Sequence, residues 1–139
     1  MQLTKNFSYE EMFVSESFPD LAEKAYKLEH NNKLFQDRAK KLFQEVLQPT
    51  RDYLGRALII DSGYRDKFLN KAVGGSATSD HMLCLAVDLK GAFDKRDLYY
   101  WMKDNTCYRQ LYYCPVKNIL HCSVNDVDIV PYQHRAWIK

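Results

Sequence analysis

His81 and Asp88 are the residues of this chain whose types and spacing first indicate metal chemistry. They stand seven positions apart, the histidine just before an apolar, strand-like segment at residues 85–89 and the aspartate inside it. Neutral imidazole and carboxylate are ordinary zinc ligands, and a catalytic zinc ion takes three protein ligands and a water molecule. A single histidine in a turn is more often a surface or hydrogen-bonded residue. The pair alone therefore leaves metal binding and simple hydrogen bonding both open.

The residues around this pair form a longer series of motifs. Their order along the chain is Ser62-Gly63-Tyr64-Arg65, Leu69-Asn70, Val73-Gly74-Gly75-Ser76, Ser79 with His81, and Ala86 with Asp88. This series closely resembles the signature of the zinc D-alanyl-D-alanine carboxypeptidases and murein endopeptidases, which cut peptidoglycan peptides. Weaker similarity extends over residues 35–137, and the terminal Arg135-Ala136-Trp137 is similar to the tail of phage-encoded members.

The resemblance implies a third ligand and two further active-site residues. His121, in the apolar segment 119–123, fits the family's third ligand and completes a site for one zinc ion. Arg65 would stabilise the oxyanion, a role suited to a permanent charge with fixed donors. The alternative for Arg65 is an ion pair with an acid such as Asp61. Ser79 would contact substrate, or its hydroxyl would only cap a turn.

The sequence departs from the family at the general base, the carboxylate that takes a proton from the zinc-activated water. Family members carry this acid three residues before the third ligand or slightly further upstream. The corresponding residues here are Asn118 and Cys114, and neither is a carboxylate. Three later titratable residues could reach the site only through a loop that folds back: Asp126, Asp128 and His134. The sequence therefore predicts a metal site that has lost its base.

The cysteines do not indicate a second metal site, because they show no CxxC spacing. They are Cys84, Cys107, Cys114 and Cys122. With no secretion signal, reduced thiols are expected rather than two disulfides. Cys84 replaces the family's glycine after the first histidine. It either packs harmlessly or adds a soft ligand, and packing is favoured.

The patterning predicts an α+β fold in which N-terminal helices pack on a mostly antiparallel sheet. Residues 1–139 are expected to form one peptidase-like domain, with 1–32 as its helical N-terminal extension. Helices are predicted at 8–17, at 33–54 with a kink at Pro49, at 66–73, and after Asp94. Residues 21–32 are polar and ambiguous. Strands are predicted at 57–61, 85–89, 108–113 and 119–124.

The composition of the chain limits the kinds of partner that it can bind. The chain has 139 residues, 46% of them hydrophobic, and a net charge of +2 from 20 basic and 18 acidic residues. That balance gives no electrostatic footprint for nucleic acid. No apolar run reaches the length of a membrane span, and the N-terminus lacks the apolar stretch of a signal peptide. We therefore expect a protein made in the bacterial cytoplasm that reaches the cell wall through phage release or within a virion.

Three functions remain compatible with these residues. The first is a zinc peptidase that trims peptidoglycan stem peptides. The second is an inactive module that keeps the peptidase fold as a wall-binding or structural virion component, in contact with other phage structural proteins. The third is a small zinc-stabilised interaction domain. The missing carboxylate favours the second and third over the first.

Overall fold

A computed structural model describes residues 1–139 as five α-helices and a five-stranded sheet. The helices are α1 Pro19–Glu29, α2 Lys33–Leu42, α3 Gln48–Leu54, α4 Lys67–Ala72 and α5 Lys95–Asn105. The strands are β1 Ile59–Ser62, β2 Ala86–Lys90, β3 Tyr108–Cys114, β4 Ile119–Val124 and β5 Arg135–Ile138. The α+β prediction is confirmed. No helix is both long enough and apolar enough to cross a bilayer.

The sheet has the strand order β1-β2-β4-β3-β5. The first three pairings are antiparallel, as predicted. The last is not, because β5 runs parallel to β3 at its outer edge. The prediction of a mostly antiparallel sheet holds, but β5 was not among the predicted strands.

Strand alternation divides the sheet into a core face and a polar face. On β2, Val87 and Leu89 belong to the hydrophobic core, whereas Asp88 between them points to the other face. On β4, Leu120 and Cys122 lie in the same core and flank His121. Helices α2 and α5 contact the sheet, so its core face is covered. The polar face is thereby left to form a site.

The N-terminal segment packs into the same core but does not form the predicted helix over residues 8–17. Only a 3₁₀ turn, Tyr9–Met12, is present, with the predicted Ser8–Glu11 capping box. The reason is that the following carbonyls bond elsewhere: Met12 O accepts from Tyr64 N and Val14 O from Gly63 N. A continuous helix would need those carbonyls for itself. The ambiguous residues after this turn form α1.

The kink predicted at Pro49 takes the form of a π-helical segment, Phe43–Leu47, between α2 and α3. Pro49 lies in the first turn of α3, where its missing N–H is tolerated. The wider segment keeps Phe43, Val46 and Leu47 fully buried. Gly55 ends α3 in the left-handed conformation, as expected for a helix C-terminus.

Candidate metal centre

One row of paired positions crosses the whole sheet on its polar face. In strand order it consists of Ser62, Asp88, His121, Tyr112 and Trp137. Asp88 and His121 are direct partners, so their side chains lie next to each other. The antiparallel register of β2 and β4 therefore brings together two predicted ligands that are 33 residues apart.

His81 reaches this row from the 3₁₀ segment Asp80–Leu83, which precedes β2. His81 Nε2 lies 3.2 Å from Asp88 Oδ1, and His121 Nδ1 lies 3.0 Å from the same oxygen. One donor atom from each residue falls within 4.8 Å of the others, and all three side chains are buried. The structure thus assembles the three predicted ligands in one cluster.

A backbone contact fixes the ring of His81. Its Nδ1 lies 2.7 Å from the carbonyl oxygen of Gly63, so Nδ1 carries the proton and donates it. Nε2 is then left with a free lone pair that points to Asp88. This orienting hydrogen bond is the arrangement that metal-binding histidines commonly use. Gly63 belongs to the motif at 62–65, which explains why that motif accompanies the first ligand.

The charges of the cluster also suit a cation. Burial lowers the pKa of His121, against the raising effect of its hydrogen bond to Asp88, so the ring stays neutral near pH 7. Burial opposes ionisation of Asp88, but His81 and His121 outweigh it and hold the pKa of this carboxyl well below its usual range. His121 Nε2 is buried with no partner. The neutral ring of His121 with its unsatisfied Nε2, the Asp88 carboxylate and the oriented ring of His81 fit a divalent ion better than a closed hydrogen-bond network.

Arg65 lies at the edge of this cluster in a fixed orientation. Its three guanidinium nitrogens bond Ser62 Oγ at 3.3 Å, Asn70 Oδ1 at 3.4 Å and Asp88 Oδ2 at 3.4 Å. The alternative partner considered from the sequence, Asp61, is not among these contacts. A Cβ atom at Gly75 would lie 2.9 Å from Arg65 Nη1. The second glycine of the 73–76 motif therefore leaves room for this side chain.

Ser79 has the capping role, one of the two roles that the sequence left open. Its hydroxyl accepts a hydrogen bond from His81 N at 3.2 Å and so caps the segment that carries this ligand. Ser79 also lines the cleft around the cluster. The cap is a definite structural role, and contact with substrate stays a prediction.

The cleft over the three ligands has a volume of about 390 Å³ and contains no carboxylate free to act as a base. Only two acids line it, Asp88 and Asp80. Asp88 belongs to the ligand cluster. Asp80 accepts a 2.6 Å hydrogen bond from Arg109 Nη1 in a fully buried ion pair. The Oδ2 atom of Asp80 is therefore already engaged by Arg109.

The three later residues that might have folded back do not reach the cleft. Asp126 pairs with Arg38 at 3.0 Å, and Asp128 lies in the same loop. His134 stacks on Tyr108 with a ring separation of 4.0 Å. None of the three lines the cleft. These three residues therefore do not bring a base to the cleft, and the loss of the base stays a prediction.

The structure distinguishes the two positions at which the sequence sought the base. Asn118 is exposed in the turn between β3 and β4, with a left-handed φ of 54°, and does not line the cleft. Cys114 is opposite Ile119 and two residues from Tyr112, so strand alternation places it on the polar face. Cys114 is buried and, like Asn118, is not among the residues that line the cleft. A carboxylate at position 114 would therefore lie on the sheet face that carries the metal cluster, whereas one at position 118 would lie in the exposed turn.

Cys84 does not join the metal cluster. It is fully buried, its Sγ lies 3.7 Å from the carbonyl of Phe35, and burial raises the pKa of the thiol to about 12. Cys84 has a φ of 58°, in the left-handed region where glycine is favoured. That conformation gives a reason for the glycine of the related proteins. The packing interpretation of Cys84 fits this geometry.

Several cleft residues were given no role from the sequence. They are Asp80, Tyr112, Trp137 and Lys139. Arg109, which pairs with Asp80 but does not itself line the cleft, was given no role either. The Asp80–Arg109 pair spans 29 residues, and no local pattern indicates such a contact. The β5 residues had a detectable signal, since Arg135, Trp137 and Lys139 alternate as on one face of a strand.

A family model described as peptidase M15 matches residues 5–123, so the chain belongs to the peptidase M15 family. Members of this family are zinc-dependent, and the cluster of His81, Asp88 and His121 agrees with that chemistry. The resemblance seen in the sequence is confirmed at the level of the family. A search of curated proteins finds no match to the chain.

Proposed function

We propose that this domain holds one zinc ion at His81, Asp88 and His121 and binds peptidoglycan stem peptides there, with strongly impaired hydrolysis. The observation that carries the proposal is the cleft itself. It presents a complete three-ligand cluster, yet its only other acid, Asp80, is held by Arg109. The chain therefore keeps the residues that bind the metal ion but lacks a free carboxylate that could accept a proton.

The bound ion would supply Lewis-acid polarisation of a peptide carbonyl and a water of lowered pKa. The chain's own residues supply the rest of the site. Arg65, fixed by Ser62, Asn70 and Asp88, presents a permanent positive charge beside the ligands for an oxyanion. Ser79 offers a hydroxyl at the same cleft. No group in this set takes up the proton that hydrolysis must move.

The test is hydrolysis of purified peptidoglycan by the zinc-loaded protein, with and without a chelator, measured as released peptides. The wild-type protein should bind peptidoglycan and release little. Cys114→Glu should raise the rate by about 10²- to 10⁴-fold, the usual contribution of a general base. Asn118→Asp is the matched control and should have no effect, because that side chain is exposed in the turn.

Two outcomes would contradict the proposal in different ways. Fast, chelator-sensitive cleavage by the wild-type protein would show that proton transfer is intact. Absence of peptidoglycan binding by the zinc-loaded protein would show that peptidoglycan peptides are not its ligands. Equal gains from the two acidic variants would show that position 114 has no special relation to the site.

The loss of the base also favours a second function, in which the domain is a structural or wall-binding component of a phage virion. In that function the domain contacts other phage structural proteins and reaches the wall with the virion or by release at lysis. A binding domain needs the cleft and its ligands but not the carboxylate. Mass spectrometry of purified virions would test this, and detection only in the lysate would argue for a released protein instead.

A further inference from the structure

His121 has two ring nitrogens, and the spacing within the cluster gives the ligand role to Nδ1. This atom lies 3.0 Å from Asp88 Oδ1, and His81 Nε2 lies 3.2 Å from the same oxygen. Neighbouring ligand atoms of a tetrahedral zinc ion are about 3.3 Å apart when each bond is about 2.0–2.1 Å long. Both separations agree with that spacing. A neutral imidazole that binds an ion through Nδ1 must carry its proton on Nε2.

The Nε2 atom of His121 is buried and has no hydrogen-bond partner. It shares this property with only one other side-chain atom of the protein, the hydroxyl oxygen of Tyr9. His121 is 4% exposed, so its ring is shielded from bulk solvent. An N–H group left unpaired there would oppose ion binding, because a buried donor without an acceptor loses its hydration and gains no bond in exchange. Metal-binding histidines commonly donate their second N–H to a carboxylate, a backbone carbonyl or water.

Asp80 brings a carboxylate to the same cleft. It is the only acid that lines the cleft besides the ligand Asp88, and His121 lines the cleft with it. The hydrogen bond from Arg109 Nη1 engages Oδ2 of Asp80, which leaves Oδ1 as an acceptor. Burial lowers the pKa of His121, whereas Asp88 and Asp80 both raise it, so the charge of Asp80 acts on the ring.

We propose that Asp80 is a positioning residue, which accepts a hydrogen bond from the Nε2–H group of His121 when the ring binds the ion. The proposal rests on the proposed function, because it presupposes zinc binding at the three ligands. Arg109 then fixes Asp80, Asp80 fixes the ring of His121, and the ring presents Nδ1 to the ion. A carboxylate in this position also makes the imidazole a stronger electron donor. The buried ion pair of Asp80 and Arg109 thereby sets the affinity of the cluster for zinc.

Two other acceptors lie on the same face of the sheet. Ser123 stands two residues after His121 on β4, and its hydroxyl oxygen accepts a hydrogen bond from Gln110 N at 3.0 Å. Gln110 lines the cleft, and its side-chain amide donates to Gln133 Oε1 at 3.0 Å. Hydroxyl and amide oxygens are neutral, and charge-assisted hydrogen bonds are roughly twice as strong as those between neutral groups. The carboxylate of Asp80 is therefore favoured, and Ser123 offers a control position.

The test compares two double variants that both lack the ion pair and differ only in the acceptor. Arg109→Met with Asp80→Asn keeps a side-chain oxygen at position 80, and Arg109→Met with Asp80→Leu removes it at similar volume. Competition with a chromophoric chelator measures the zinc affinity of each protein. The variant with Asp80→Leu should bind zinc about tenfold more weakly than the one with Asp80→Asn, the lower end of the usual effect of losing such a partner. Ser123→Ala should bind zinc as the wild-type protein does.

A second measurement uses the wild-type protein and does not depend on the folding of any variant. Nuclear magnetic resonance of the ¹⁵N-labelled, zinc-loaded protein reports which ring nitrogen of His121 carries the proton. We expect a metal-bound Nδ1 and a slowly exchanging proton on Nε2, with a nuclear Overhauser contact to the β-protons of Asp80. A proton on Nδ1 would overturn the proposal, and so would an Nε2 proton that contacts Ser123 and not Asp80.

The remaining outcomes separate this proposal from the proposed function. Equal zinc affinity of the two double variants would overturn the role of Asp80 and leave the proposed function intact. A tenfold loss of affinity in Ser123→Ala would assign the bond to the hydroxyl and likewise overturn it. Absence of zinc binding by the wild-type protein would contradict both proposals. Thermal unfolding of the zinc-free variants shows whether each is folded, and where Asp80→Leu prevents folding, the resonance measurement on the wild-type protein decides.

Discussion

At the scale of single residues, Gly63 joins the N-terminal segment to the metal cluster. Its carbonyl orients His81, and its N–H bonds Val14 O. A Cβ at this position would lie 2.1 Å from the backbone oxygen of Met12. That oxygen also accepts a hydrogen bond from Tyr64 N, so a shift away from the added Cβ would break this bond. Position 63 therefore needs glycine, because only glycine allows the close packing on Met12 that places the carbonyl bonded to His81.

We predict that Gly63→Ala lowers the free energy of unfolding by about 3 kcal/mol, at the upper end of overpacking effects. Urea denaturation measures this change. Gly55→Ala is the matched control: no atom lies within 4 Å of its added Cβ, so only its positive φ of 65° adds strain, about 1 kcal/mol. Equal losses for the two variants would show that the Met12 contact is not the cause.

His121 makes the stability of the metal-free protein depend on pH. Because the pKa of His121 is lowered in the folded state, the unfolded chain binds a proton near pH 6.5 and the folded chain does not. Stability is then fully present above about pH 6.5 and decreases as the pH falls towards the folded-state pKa, by up to about 1.4 kcal/mol per pH unit.

Urea denaturation of the chelator-treated protein at pH 7.5, 6.5 and 5.5 tests this dependence. His121→Asn should show a shallower decrease than the wild-type protein over the same range. His30→Gln, which alters a histidine of the N-terminal region outside the cleft, should retain the wild-type slope. Identical slopes for His121→Asn and the wild-type protein would show that His121 does not cause the pH dependence of stability.

At the scale of elements, Arg109 holds the first ligand's segment against the sheet. From β3 it bonds Asp80, the first residue of the segment Asp80–Leu83, at 2.6 Å and the carbonyl of Pro131 at 3.2 Å. One buried guanidinium therefore connects the ligand segment, β3 and the loop that leads to β5. The ion pair does not take part in the metal cluster, but it restrains the residue next to His81.

Arg109→Met is predicted to cost about 3–5 kcal/mol, because it leaves the Asp80 carboxylate buried without its partner. Adding Asp80→Asn should recover part of that loss, since the unpaired charge is then removed. Urea denaturation of the two single variants and the double variant gives the coupling energy. Additive effects, with no recovery in the double variant, would show that the pair contributes little.

Much of the fold could be predicted from local sequence and the ligand set from the family resemblance, and the reasons lie in particular elements. Residues 66–73 contain a helix because Asp66 caps it, and β2 and β4 follow from short apolar runs. His81 and Asp88 carry a recognisable motif within one short segment. The N-terminal 3₁₀ turn was missed because its carbonyls bond the distant 63–64 loop, and propensity does not register such contacts. Strand β5 was missed because its alternation covers only four residues and its parallel pairing with β3 depends on the whole sheet.

At the scale of the whole molecule, residues 1–17 are part of the core and not an appendage. Phe7, Tyr9, Met12 and Phe13 are all buried in the same hydrophobic cluster as the sheet residues. At roughly 1.5–3 kcal/mol for each buried apolar side chain, Phe7, Met12 and Phe13 alone contribute about 5–9 kcal/mol. That amount is comparable with the total stability of a domain, about 5–15 kcal/mol.

Deletion of residues 1–17 is therefore predicted to abolish cooperative thermal unfolding, as followed by circular dichroism. It should also abolish zinc binding in a titration, because the carbonyls of Met12 and Val14 that hold the loop at Gly63 are lost and His81 is no longer oriented. Leu28→Ser, on the exposed face of α1, is the control and should change neither property. A truncated protein that still unfolds cooperatively and binds zinc would show that the metal cluster forms independently of the N-terminal segment.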